Sequence, residues 1–194
     1  KETLKDFVSG VGVRKFAERP KRRERKELGQ EYTDFLLDCI FCVAGREIED
    51  QLDFQENRPV DIVWRWQGKK ANLSLGMEAK RLMKTKFKNI GHAKAWLMRE
   101  GISRFYDYYR ETGKLLNTRI ICITELIWED DVDVLKQKEW RQELLRFLIE
   151  HGFYLIETGQ IETVWERTIA EGLFLNQFTD ILIEVCGGDD GWVG

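Results

Sequence analysis

Runs of apolar residues at two and at three-to-four spacing divide the chain into a short series of elements. Between positions 59 and 81, the alternating stretches PVDIVWRW and LSLGMEAKR flank the polar turn QGKKAN, which is the pattern of a β-hairpin. With Trp66 set opposite Leu73, the residues Ile62, Trp64, Trp66, Leu73, Leu75, Met77 and Ala79 share one face. Asp61, Arg65, Ser74, Gly76, Glu78 and Lys80 share the other, with Val63 the only sizeable apolar group among them. Asp61 then falls opposite Glu78, where directly opposed Cβ atoms stand roughly 5 Å apart. Two opposed carboxylates repel unless a cation lies between them. The polar face therefore reads as a metal site.

Before the hairpin, Leu28, Tyr32, Phe35, Leu36, Cys39 and Val43 recur at helical spacing and predict a helix over 24–43. Glu27, Glu31, Asp34 and Asp38 run along an adjacent stripe of it. The alternation of Ile48, Asp50, Leu52 and Phe54 predicts a strand over 47–54 leading into the hairpin. After it, a helix is expected over 92–112. The nearly continuous apolar run RIICITEL at 119–126 suits a strand buried on both faces. A helix over 136–150 stops at Gly152. A short strand over 153–157, a helix over 161–171 and a final strand over 180–186, DILIEVC, complete the expected series. The class is α/β with a mixed central sheet. The expected organisation is a basic arm over 1–23, one domain over 24–186 and a flexible tail over 187–194, with no internal repeat.

Composition narrows the setting. The 194 residues are 43% hydrophobic and include seven tryptophans, enough for one substantial core. No apolar run approaches the roughly 18 residues of a membrane span, and KETLKDFVSG lacks the apolar stretch of a signal peptide. The expectation is a soluble, cytoplasmic protein with no membrane contact and no small-molecule cofactor.

The net charge of −3 hides an asymmetry: the first 100 residues hold 22 Lys and Arg against 16 Asp and Glu, leaving 9 against 18 in the remaining 94. An anionic ligand would be drawn to the half that carries the hairpin. Two basic stretches flank that hairpin, RKFAERPKRRERK with Arg22 and Arg23, and RLMKTKFKNIGHAK with Lys84, Lys86 and Lys88. They are read either as solvated helix starts or as phosphate contacts that supply sequence-independent nucleic-acid affinity. His92 beside these lysines is expected to be merely exposed. The tryptophans of the hairpin are expected in the core or a subunit interface rather than as a base-stacking platform. Cys39 and Cys42 form a CxxC, but no second CxxC or His pair completes a metal site. Within FLLDCIFCV they are expected to be buried structural thiols.

Pro59-Val60-Asp61 followed 17 positions later by Glu78-Ala79-Lys80 resembles the signature of the PD-(D/E)xK nuclease superfamily, with one residue inserted between the proline and the aspartate. The predicted order of helix, strand, hairpin, helix and strand resembles its αβββαβ core over 24–126, which leaves the C-terminal part as an α/β elaboration. MEAKRL followed by REGISRF at 99–105 is similar to a looser pattern in poorly characterised members. The resemblance implies a restriction-endonuclease-like fold in which Asp61, Glu78 and the Ala79 carbonyl hold Mg²⁺, with Mn²⁺ able to substitute. It implies that Lys80 orients the attacking water or offsets phosphate charge. It also implies a further glutamate from the first helix, for which Glu31 matches best and Glu27 is the runner-up. Arg65 on the polar face and Arg104 on the following helix are candidates to hold phosphate oxygens.

The function expected on this basis is a Mg²⁺-dependent DNA endonuclease, structure-specific in the manner of a Holliday-junction resolvase and acting as a homodimer with two related sites. The alternatives are a restriction-type enzyme or an exonuclease of the same superfamily, or a nucleic-acid-binding protein that keeps the fold without the chemistry. A protein–protein interaction domain is a further alternative.

Overall fold

The computed structural model of the chain describes residues 22–54, 59–67, 72–82 and 85–186, apart from the side chains of 22–27 and 47. Helix α1 (Arg22–Ala44) leads through a 3-10 turn (Arg46–Gln51) to strand β1 (Leu52–Asp53) and then to the hairpin strands β2 (Ile62–Gln67) and β3 (Asn72–Lys80). Strand β4 (Lys86–Phe87) precedes α2 (Ile90–Leu97), which passes through a π-helical turn (Met98–Ile102) into α3 (Ser103–Thr112). Then come β5 (Thr118–Ile123), β6 (Ile127–Trp128), α4 (Val134–Glu150), β7 (Tyr154–Glu157) and α5 (Val164–Cys186). The expected basic arm enters the described residues only at 22 and 23, whose backbone already belongs to α1; the rest of it and the tail over 187–194 lie outside them.

The fold is α/β, with a five-stranded mixed sheet in the order β1-β2-β3-β5-β7 and helices on both faces. The pairs β1–β2 and β2–β3 are antiparallel, whereas β3–β5 and β5–β7 are parallel. β4 and β6 form a separate parallel pair that the sequence pattern does not signal. In the hairpin, Trp66 faces Leu73 and Ile62 faces Met77, the register set by the alternation of its apolar residues. A slip of one residue would turn either Ile62 and Trp64 or Leu75 and Met77 out of the core, so burial of one face holds this register.

Residues of alternate parity feed two cores. Ile62, Trp64, Leu75, Met77, Ile120 and Cys122 pack against α1 and α5. Val63, Ile121, Ile123 and Leu155 pack against α2, α3 and α4. Cys39 is buried in the first of these cores, and burial, reinforced by the carboxylate of Glu171, pushes its thiol up to about 12. Cys42, expected to be buried with it, is exposed. Its thiol lies at the margin of the buried stripe of α1, 3.9 Å from Glu171 Oε1 of α5. Cys39, Cys42, Cys122 and Cys186 are all free thiols.

The polar face of the hairpin is not the open charged surface that its composition suggests. Phe105 and Tyr108 of α3, with Val60 and Leu116, cover its middle. Gly76 makes the close approach feasible: a Cβ there would lie 2.4 Å from Leu116 Cδ1 and 2.9 Å from Phe105 Cε1.

Two elements depart from expectation. The segment over 47–54 is not a strand but a 3-10 turn and only two strand residues. The turn buries Ile48 and hands Leu52 to β1, so both reach the same core without a continuous strand between them. The segment over 180–186 is not a strand but the last two turns of α5. Its β-branched residues favour a strand locally, but Ala170, Phe174, Phe178, Ile181 and Leu182 form one buried helical stripe. Packing of that stripe on the sheet overrides the local preference.

Candidate functional site

The last paired residues of the hairpin are Ile62 and Met77, so the same register carried one step further sets Asp61 beside Glu78. Asp61 is fixed there by its own backbone contact: its Oδ2 accepts the N–H of Ala79 at 2.8 Å. A residue in an extended strand sends its N–H and C=O to the same edge, so the Ala79 carbonyl is directed to the β2 edge of the strand, as its N–H is. Glu78 lies on the central strand, is 1% exposed, and has β5 on its other side.

Lys80, two residues along the same face, places Nζ 2.6 Å from Glu78 Oε1. Arg104, in the first turn of α3, places Nε 3.8 Å from the same oxygen. The second oxygen, Glu78 Oε2, is buried without a hydrogen-bond partner.

Burial dominates the electrostatics. It pushes Glu78 from an ordinary 4.5 up to about 8, and the nearby Asp61 charge adds to the rise while Lys80 and Arg104 oppose it. Asp61 is also raised by burial, against the lowering effects of the Ala79 N–H, Lys80, Arg104 and the neighbouring Glu78 carboxyl, which when protonated can donate to it. The site thus holds two carboxyl groups in a space poor in water, where the loss of hydration outweighs the pull of Lys80 and Arg104. Asp61, Glu78 Oε2 and the Ala79 carbonyl offer oxygen donors of the kind that hard divalent cations take. Among the described residues, no group of three or more His, Cys, Asp and Glu side chains is placed to hold a metal ion.

The other residues singled out from the sequence fall in several places. Glu31 is not brought to Asp61 and Glu78; its carboxylate receives Arg81 at 2.7 Å and Arg167 at 3.1 Å. Arg65 donates to the hydroxyl of Tyr108 and lies over that ring at 6.0 Å, so its guanidinium is committed to α3. Lys86 pairs with Asp130 at 2.6 Å, and Lys88 is exposed. His92 Nδ1 accepts the Lys88 N–H at 3.5 Å, and its ring meets Phe87 edge-on. The side chains of Arg22, Arg23 and Glu27, and all of Lys84, lie outside the described residues.

Arg81, Arg167 and Tyr108 are site neighbours that the sequence pattern does not signal. Arg81 adjoins Lys80 and is within reach of local reasoning. Arg167 meets Glu31 across 136 positions, a contact that no spacing rule encodes. Set against family models, curated proteins and solved structures, the chain matches none of them.

Proposed function

We propose that this chain is a divalent-metal-dependent nuclease of the PD-(D/E)xK kind, with a restriction-endonuclease-like core, hydrolysing phosphodiester bonds in DNA. The observation that carries the reading is the buried Asp61–Glu78 carboxyl pair with one Glu78 oxygen unpartnered and Lys80 two residues beyond on the same face. The order of α1, the antiparallel β1–β2–β3 meander, α3 and the parallel strand β5 supports the same reading. Asp61, Glu78 and the Ala79 carbonyl would hold Mg²⁺, which when bound supplies an acidified water and stabilises phosphoryl charge.

The chain's own residues divide the remaining work. Ala79 N–H fixes one Asp61 oxygen, so that carboxylate is oriented before any ligand arrives. Lys80 holds Glu78 Oε1 and keeps part of its side chain at the surface, 22% exposed, from where its ammonium meets a phosphate oxygen or orients the attacking water. Arg104 is 44% exposed at the same rim and takes a second phosphate oxygen. The buried floor limits water around these charges and strengthens them.

The test is incubation of the protein with Mg²⁺ and a panel of linear duplex, flap, four-way junction and single-stranded DNA, beside Asp61→Ala and Lys80→Ala. Cleavage by the unaltered chain and a loss of about a hundredfold or more in each variant are expected. Absence of cleavage throughout, or unchanged cleavage in both variants, overturns the assignment.

One observation favours a second reading, a nucleic-acid-binding protein without chemistry: Lys80 already sits 2.6 Å from Glu78 and supplies a cation from within the chain. Titration with Mg²⁺ or Mn²⁺ separates the two, because an inert site shows no saturable binding that Asp61→Ala and Glu78→Gln abolish.

A further inference from the structure

The C-terminal ends of the parallel strands β3, β5 and β7 lie side by side, and in open α/β sheets ligands gather at this edge. Here the edge is stitched together. Thr124 N–H donates to the Lys80 carbonyl at 3.3 Å, and its hydroxyl accepts Leu82 N–H at 2.9 Å and donates to the Leu82 carbonyl at 3.1 Å. The N–H groups of Thr158 and Gly159 donate to the carbonyls of Ile123 and Thr124. Both threonines are fully buried. The backbone on either side of Arg81 is therefore held in place.

Lys80 serves the α3 side of the sheet, whereas Arg81 reaches Glu31 of α1, the helix on the opposite side. The Arg81 side chain is 3% exposed, its Nη1 lies 2.7 Å from Glu31 Oε2, and its Nε is buried with no hydrogen-bond partner. Arg167, in the first turn of α5, donates from Nη2 to Glu31 Oε1 at 3.1 Å and from Nε to the Ile161 carbonyl at 3.3 Å. Two guanidinium groups thus converge on one carboxylate. Glu31 itself is 45% exposed and Arg167 39%, so the Arg167–Glu31 contact is weak and open to competition, whereas the buried Arg81 guanidinium needs an anion beside it whichever one is bound. The fork of a guanidinium matches a phosphate at least as well as a carboxylate.

We propose that Arg81 and Arg167 form a phosphate-binding site, occupied in the free protein by Glu31, that takes a nucleic-acid backbone phosphate next to the one addressed by Lys80. The proposal rests on the nucleic-acid reading of this edge. Glu31 is an internal stand-in for the phosphate, and the substrate displaces it. The strand end then grips the backbone on both sides of the sheet, with Lys80 and Arg104 on one and Arg81 and Arg167 on the other.

The experiment measures binding of a fluorescein-labelled short DNA duplex in EDTA, where no hydrolysis occurs, for the unaltered chain, Glu31→Gln, Arg167→Gln and the double variant. Circular dichroism confirms that each is folded. Arg167→Gln is expected to weaken binding severalfold and to lower the slope of log affinity against log salt by roughly 0.9. Glu31→Gln is expected to tighten binding, and that gain is expected to vanish in the Arg167→Gln background. A general effect of net charge adds across the two positions, so an additive cycle overturns the proposal. So does a Glu31→Gln variant that binds no better, or the absence of binding in every protein. If instead the cycle is non-additive and no Asp61-dependent cleavage is found with Mg²⁺, the phosphate site stands and the nuclease assignment falls. With an additive cycle and Asp61-dependent cleavage, the nuclease assignment stands and the phosphate site falls.

Discussion

Glu78 lies near the C-terminal end of β3, the central strand of the sheet, and its chemistry follows from its burial there more than from its neighbours. Lys80 and Arg104 pull its carboxyl toward ionisation, yet burial and Asp61 prevail, and the group stays protonated up to about 8. The folded state holds this proton more tightly than the unfolded chain does, so the contribution to stability is fully present below about 4.5 and is lost as pH rises through about 8. In a chelating buffer, the thermal midpoint of the unaltered chain is expected to fall across that window relative to Glu78→Gln, whose profile should be flatter. Melting curves at a series of pH values check this; parallel profiles for the two proteins would contradict it. Asp61, Glu78 and Lys80 are legible as a group in the sequence because their spacing and alternation are local. The link from Glu31 to Arg167 is not, because only packing of α1 beside α5 brings those positions together.

At the scale of elements, the hairpin is the best-determined part of the molecule, since a six-residue β2 and a nine-residue β3 each present an apolar row. The covered polar face depends on one absent side chain. Gly76→Ala is expected to lower stability by about 1–3 kcal/mol, the usual result of adding a carbon to a filled interior. The new Cβ meets Leu116 and Phe105 inside normal contact distance. Urea denaturation measures the loss, and an unchanged midpoint would mean that α3 moves aside freely. The strand expected at 180–186 shows the limit of local reading. Ile181, Ile183 and Val185 favour extended structure in isolation, yet Ile181, Leu182 and Cys186 belong to the stripe that anchors α5 to the sheet. The 3-10 turn before β1 shows the same ambiguity on a smaller scale, because a four-residue window fits both periods.

For the whole molecule, the helices on both faces of the sheet leave the strand ends as the place where charged side chains collect without burying all of their polar atoms. The described residues contain no helix long and apolar enough to cross a membrane. If the site takes Mg²⁺, occupancy couples to folding. Free ion at a hundred times its dissociation constant is expected to stabilise the native state by about 2.7 kcal/mol. Asp61→Ala should abolish that gain. Thermal melts with and without Mg²⁺ measure it, and an equal response in the unaltered chain and Asp61→Ala would place the ion elsewhere.

By itself the sequence determined the α/β class, the hairpin and its register, the buried Cys39 of α1, and the meeting of Asp61 with Glu78. All of these follow from periodicity and from the burial of one face, which are local properties of the chain. Tertiary structure alone decided that the polar face is roofed by α3 and that Arg65 is committed to Tyr108. It also decided that α5 is a single helix and that Glu31 lies between Arg81 and Arg167. Those outcomes depend on which elements pack against one another, a choice made by the sum of many buried contacts and not written at any one position. The hairpin's alternation could place two acids side by side. Only the helices packed around it made one of them a buried acid with an oxygen to spare.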